Sequence, residues 1–141
     1  MAVLSTAQAL VKSLAREGVE VVFGLPGVQI MEIYDAFYEE PGIRLITTRH
    51  EQGAAFAADA HGRLTGKAGV CLGTLGPGVT NLLTGIADAN MDRAPVVAII
   101  GQGSTKRQHK ESHQIMDAIG MCKPISKWAQ AVLAPENITE I

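Results

Sequence analysis

One carboxylate stands apart in this sequence. Glu51 lies in the stretch TTRHEQGAAFAADAHGR, residues 47–63, where an alanine-rich helix is predicted to begin. An acid in the first turn of a helix can simply balance the helix dipole, a stabilisation of about 0.3–1 kcal/mol. Arg49 is also near enough in sequence to pair with it. The helix that follows gives a second reading. Ala54, Ala55, Ala58 and Gly62 fall at three- and four-residue spacing and share one smooth face. Such a face suits a tight helix–helix contact, within the chain or between subunits, and would put the acid at a buried seam. Burial opposes the charge on a carboxylate while the helix N-terminus favours it. An acid in that position is suited to sharing a proton with a weakly basic ring nitrogen.

The other chemistry-bearing residues sit in glycine-rich turns: GLPG (24–27), GPGVTN (76–81) and GQG (101–103). A strand, a glycine turn and a helix start make an anion cradle in many proteins, so GPGVTN could hold a nucleotide phosphate. Its details oppose that use. Pro77 removes a backbone donor from the middle of the turn. No lysine follows, and the spacing matches neither the P-loop nor the dinucleotide fingerprint. A Gly-Pro-Gly turn does offer a flat, apolar wall that suits the face of an aromatic ring. Asp59 and Arg63, four apart, read as a helix-surface pair. Asp88 and Asp92 lack a third ligand, so no metal site is assigned.

These turns need elements to hold them. Ser5 caps a predicted helix with apolar positions Ala7, Leu10, Val11 and Leu14, and Gly18 ends it. Short β-branched or apolar runs at 19–23, 43–47, 69–75 and 96–101 read as strands, the first of them buried. Helices are predicted around 30–37, over 51–64 and over 79–91, with a short one around 114–121 and a further strand near 128–132. Strands alternating with helices imply an α/β fold, a mostly parallel sheet covered on both faces. In such a sheet the ligand sits beyond the carboxyl ends of the strands, where all these turns lie.

Composition narrows the function. The chain has 141 residues, 47% of them hydrophobic and 18% charged, with a formal net charge of −2. This length suits one domain able to bury about two-thirds of its unfolded surface. The charge gives no electrostatic case for nucleic acid or a membrane surface. The one basic cluster, Lys106, Arg107, His109 and Lys110, is short and followed by Glu111. Cys71 and Cys122 form no metal or redox spacing, and a reduced, cytoplasmic setting is expected. The segment PENITEI from Pro135 reads as the first turns of a helix, so the chain is expected to be a domain, 1–141, excised from a longer protein.

Taken in order, GLPG, RHEQGAAFAADAHGRLTGKAGV, GPGVTNLLTGIADA, PVVAIIGQ, and HQIMD followed by KPISKW cover nearly the whole chain. In these motifs the sequence resembles the pyrimidine-binding domain of thiamine-diphosphate-dependent enzymes of the acetolactate synthase and pyruvate oxidase group. The HQIMD form is most similar to acetolactate synthases. The resemblance implies a three-layer α/β/α thiamine-diphosphate-binding fold. It implies that Glu51 hydrogen-bonds N1′ of the cofactor's aminopyrimidine and promotes the tautomer that activates the thiazolium ring toward a 2-keto acid such as pyruvate. By the same resemblance Gly24, Pro26 and Gly27 lie near the pyrimidine and substrate pocket. Gly76, Pro77 and Gly78 wall the pyrimidine, Asn81 is a nearby polar position, and Gln114 faces the reaction centre. His113 would be on the substrate side, and His50 would orient or pack rather than react. Many relatives have Gln-Glu where this chain has Gln114-Ile115, so their substrate preference does not transfer directly.

The family's diphosphate- and Mg²⁺-binding segment, a Gly-Asp-Gly motif with a downstream Asn, has no counterpart here. The resemblance therefore implies a fragment that is inactive alone and binds the cofactor weakly. It implies partners as well: the diphosphate-binding domain of the parent enzyme, and a homodimer or higher assembly through helix 51–64. FAD is allowed in the parent. The related decarboxylases, acetyltransferases and oxidases share the glutamate and remain open, as does a non-catalytic oligomerising α/β domain.

Overall fold

The computed structural model describes residues 3–108 and 110–141. His109, one of the basic cluster, lies outside the described residues. The chain runs α1 (Thr6–Arg16), β1 (Val21–Gly24), a 3-10 turn (Val28–Ile30), α2 (Met31–Tyr38), β2 (Arg44–Thr47), α3 (Glu51–Thr65), β3 (Gly69–Gly73), α4 (Pro77–Met91), β4 (Val96–Ile100) and a short α5 (Ala118–Cys122). The four strands form one parallel sheet in the order β2-β1-β3-β4, as the alternating pattern implies.

Local chemistry accounts for the boundaries. Ser5 and Gln8 form a reciprocal capping box that starts α1, and Gly18 turns the chain out with φ +77°. α3 is capped by His50, whose Nδ1 accepts from the Gln52 backbone N–H at 3.1 Å. It ends on Gly66 in the left-handed conformation. α4 begins with Pro77 in its first turn, where a missing N–H costs nothing.

The sheet separates two cores. Val22, Val70 and Leu72 face α1 and α2, with Val11, Ile30 and Phe37. Cys71, one residue out of phase, faces α3 and α4, with Ala54, Ala55, Ala58, Leu82 and Ile86. This is the period-2 alternation of a sheet buried on both sides. The small-residue face of α3 is used inside the chain. Ala54, Ala55 and Ala58 are fully buried, and a Cβ on Gly85 of α4 would lie 2.5 Å from the Ala55 Cβ. The seam foreseen for a partner helix is therefore closed by α4 of the same chain.

Three expectations change beyond β4. No strand forms at 128–132; Trp128 is 61% and Leu133 62% exposed, and no described strand pairs with the segment. Apolar side chains alone do not make a strand without a ladder partner. The predicted helix at 114–121 starts only at Ala118. Gln114 has φ +58°, outside the right-handed helical region, and Asp117 caps the helix by accepting from the Gly120 N–H at 2.8 Å. At Pro135 there is only a 3-10 turn, Pro135–Asn137.

Candidate functional site

The strand order creates a crevice. β1 and β3 are neighbours, yet β1 leads to α2 on one face of the sheet and β3 leads to α4 on the other. Their exit loops diverge, and the gap at the strand tips is the usual ligand position in such folds. β1 brings Gly24 there, and β3 brings Thr74 to Gly78.

Glu51 enters this gap from the first turn of α3. It is only 6% exposed. Its Oε2 accepts a hydrogen bond from Asn81 Nδ2 at 2.9 Å, and Asn81 is held in place by the first turns of α4. No hydrogen bond among the described residues reaches Oε1. That oxygen lies 3.5 Å from where a Cβ on Gly78 would stand, and the same Cβ would lie 2.9 Å from Thr74 Cγ2. Gly78 is thus bare on the side where the acid rests. Arg49, the sequence's suggested partner for Glu51, is exposed and forms no ion pair with it among the described residues.

The remaining predicted positions surround this centre. A Cβ on Gly76 would lie 2.6 Å from Gln114 Cβ and 2.7 Å from Gln114 O, so Gln114 sits against the Gly-Pro-Gly turn and covers its outer side. Gly27 packs on Thr74, with a hypothetical Cβ 2.5 Å from Thr74 Cβ, and Thr74 Oγ1 donates to Gln29 Oε1 at 3.3 Å. The first glycine loop is thereby fastened to the third. Pro26 and Pro77 are exposed, and His113 is exposed on the wall of a cavity of about 250 Å³ with Gln29, Leu75, Arg107 and Ile115. Ile115 packs against Gly103.

Sequence reasoning missed two features. Tyr34 counted only as an apolar residue of α2. Its hydroxyl is buried with no hydrogen-bond partner and reaches the strand tips; a Cβ on Gly24 would lie 2.6 Å from it. Burial, reinforced by the negative charge of Glu51, pushes this phenol up to about 12. The second feature is Asp59, which is not a surface residue. It is 5% exposed, and Arg63 Nε contacts its oxygens at 2.9 and 3.0 Å while also reaching Asp88 and Asp92 on and just after α4. One guanidinium therefore ties α3 to α4, and these acids hold its charged form strongly. Among the described residues no group of three or more His, Cys, Asp or Glu side chains is placed to hold a metal.

A parallel α/β domain with a buried acid and a glycine turn at its switch point belongs to the class of open-sheet domains whose ligand site lies beyond the strand tips. The family described as "Thiamine pyrophosphate enzyme, N-terminal TPP binding domain" matches residues 4–121. The chain belongs to that family. It is 46% identical over 134 residues to a probable acetolactate synthase large subunit of Methanocaldococcus jannaschii, covering 95% of this chain and 22% of the relative. It is 45% identical over 138 residues to the acetolactate synthase isozyme 2 large subunit of Escherichia coli, covering 98% and 25%. An acetolactate synthase of Mycobacterium bovis is 41% identical over 138 residues, covering 98% and 22%. The chain thus spans about a quarter or less of the length of these relatives.

The site fits the aminopyrimidine end of thiamine diphosphate. It offers one carboxylate oxygen held by Asn81 and another with no described donor, beside a backbone wall at Gly76–Gly78. It offers no metal-binding cluster among the described residues for the diphosphate end.

Proposed function

We propose that this chain is the pyrimidine-binding module of a thiamine-diphosphate-dependent, decarboxylating carboligase of the acetolactate synthase type, with pyruvate as donor. The observation that carries this reading is the buried Glu51 carboxylate, fixed by Asn81 at the β1/β3 crevice. When bound, thiamine diphosphate supplies the nucleophilic carbon and the electron sink for decarboxylation of a 2-keto acid. The chain's own residues do three things. Glu51 holds or accepts a proton at the pyrimidine ring nitrogen through Oε1. Asn81 fixes the other oxygen, so the carboxylate plane does not turn. The Gly76–Gly78 backbone and Gln114 close the pocket against water, which strengthens the acid's interaction with the ring. The neighbouring cavity, with Arg107 and His113 on its wall, has the chemistry to take a small carboxylate substrate.

The diphosphate and Mg²⁺ belong, in this proposal, to a further domain of a longer parent enzyme, and FAD is compatible with that parent. The chain is then inactive alone. Most of the cofactor's charge goes unneutralised by it, so titration calorimetry with this chain alone should give no micromolar binding. Dimerisation is assigned to the outer side of α3, where Phe56 is 39% and Leu64 87% exposed. No helix of the described residues is long and apolar enough to cross a membrane, which is compatible with the proposed cytoplasmic setting. The test is Glu51→Gln in the parent enzyme. Cofactor-dependent turnover should fall at least a hundredfold, in keeping with the roughly 10²–10⁴-fold worth of a positioned acid or base, with folding retained. Undiminished activity would reduce Glu51 to a helix-end residue, and product analysis separates carboligase from decarboxylase or oxidase.

A further inference from the structure

The segment after β4 turns back on itself, and one side chain closes it. Its root is fixed to the sheet, where the Gly101 N–H donates to Gly73 O at 2.9 Å. The next residue, Gln102, bonds both ends of the loop 103–115. Its Oε1 accepts from the Gly103 N–H at 2.8 Å, and its Nε2 donates to Met116 O at 3.1 Å. A backbone N–H requires an oxygen and a carbonyl requires an N–H, so the two partners fix which way the carboxamide faces. Ile115 closes the same gap with apolar atoms: its Cδ1 lies 3.0 Å from where a Cβ on Gly103 would stand. The Ala118 N–H also donates to Met116 O, at 2.9 Å, so the latched carbonyl is the one from which α5 starts.

Gln114 stands between these ties. Its φ of +58° is left-handed, a conformation that is costly for any residue with a Cβ and that persists where the surroundings hold it. Here the holding contacts are the loop closure at Gln102 and the bare Cα of Gly76, which receives the Gln114 backbone. Apart from Gln29 and Leu75, every described residue lining the cavity of about 250 Å³ also belongs to this loop. We infer that Gln102 is a positioning residue: its carboxamide latches the loop 103–115, and the latch holds Gln114 in its left-handed conformation over Gly76 and keeps the cavity walls in place. Gln102 itself is exposed and bonds neither Glu51 nor Asn81 among the described residues. Without the latch, Gln114 relaxes toward an ordinary φ and withdraws from Gly76. The consequence for substrate binding rests on the function proposed above; the latch does not.

Trypsin cuts after lysine and arginine, and Lys106, Arg107 and Lys110 stand exposed in the loop. Cleavage of a segment that opens transiently follows the population of its open form. The test is limited trypsin digestion of this chain without cofactor, read by mass spectrometry at those sites. Cleavage after Arg63, inside α3, measures global unfolding. Gln102→Ala should raise cleavage in the loop about fivefold, the worth of one ordinary hydrogen bond, and leave Arg63 unchanged. Gln102→Glu can accept from Gly103 but cannot donate to Met116, so it should be cut as fast as Gln102→Ala. Adding Gln114→Gly, which adopts a positive φ without steric cost, should slow the cleavage of Gln102→Ala again. Loop cleavage unchanged in Gln102→Ala, a Gln102→Glu variant as resistant as the original chain, or no slowing by Gln114→Gly would overturn the inference. In the proposed parent enzyme, Gln102→Ala should raise KM for the 2-keto acid more than it lowers kcat, because the cavity loses its walls while Glu51 and Asn81 stay on α3 and α4. A lowered kcat with KM unchanged would overturn the role given to the latch in substrate binding. The digestion involves no cofactor, so its failure is distinct from failure of the proposed activity.

Discussion

Gly85→Ala sets helix propensity directly against packing. Gly85 lies in the middle of α4, where it faces α3. Replacing a mid-helix glycine with alanine ordinarily stabilises by about 0.5–1 kcal/mol. Here the new methyl would lie 2.5 Å from Ala55 Cβ and 3.0 Å from both Ala55 C and Phe56 N. Carbon atoms settle at about 3.5–4.0 Å, and two of the three obstacles are backbone, so α3 and α4 must part. Overpacking of this kind costs about 1–3 kcal/mol, which outweighs the propensity gain. The net expectation is a loss of about 1–2 kcal/mol, or a fall of roughly 3–8 °C in Tm for a domain of this size. Gly53→Ala is the control: that glycine is exposed in α3 with nothing within 4 Å of a new Cβ, so Tm should rise slightly. Calorimetric unfolding of the three chains side by side decides it. A Gly85→Ala variant as stable as the original or more so would refute the close α3–α4 contact and, with it, the placement of Glu51 at its end.

Asn81→Ala removes the one described hydrogen bond to a buried carboxylate and should destabilise the chain by about 1.5–3 kcal/mol; urea unfolding measures it, and a loss below a few tenths would mean that Glu51 has another partner. Cys71 is fully buried, which pushes its thiol up to about 12, and burial raises Cys122 as well. A thiol reagent should therefore label neither in the folded chain at neutral pH and both after denaturation, with mass spectrometry as readout. The same raised groups, together with Tyr34 at about 12, bind their protons more tightly folded than unfolded. The stability they contribute is complete below their ordinary values of about 9–10 and is lost as pH climbs toward 12. Denaturation midpoints should fall across that window, and Cys71→Ala with Tyr34→Phe should flatten the fall. Arg63→Ala should loosen α4 from α3 and lower Tm, with Arg63→Lys restoring only part, because one ammonium does not reproduce a fork shared among three carboxylates.

What the sequence made legible follows from how local each signal is. The four strands, the Ser5 cap and the helices at 51–64 and 79–91 depend on neighbours a few residues away, and they stand close to where the pattern puts them, the last of them starting two residues earlier, at Pro77. The buried position of Glu51 was readable because the alanine face beside it implies close packing, although the packing partner turned out to be α4. Three features depend on distant residues and were not readable. Tyr34 looks like any apolar face residue until α2 is seen to carry it over the tip of β1. Asp59 and Arg63 have the spacing of a surface pair, and only the folded structure shows the acid buried and the guanidinium also reaching Asp88 and Asp92, which turns the pair into a clamp. The segment 128–132 has a strand's composition, but strand formation needs an open ladder beside it, which composition does not report.

The most direct measurement is a crystal structure of the proposed parent enzyme, carrying this chain, grown with thiamine diphosphate. It should place a Glu51 carboxylate oxygen about 2.5–3.0 Å from a pyrimidine ring nitrogen, with Asn81 still bonded to the other oxygen and the ring lying on the Gly76–Gly78 turn. A pyrimidine bound away from the β1/β3 crevice, or a Glu51 side chain swung out into solvent beside an otherwise intact fold, would contradict the account.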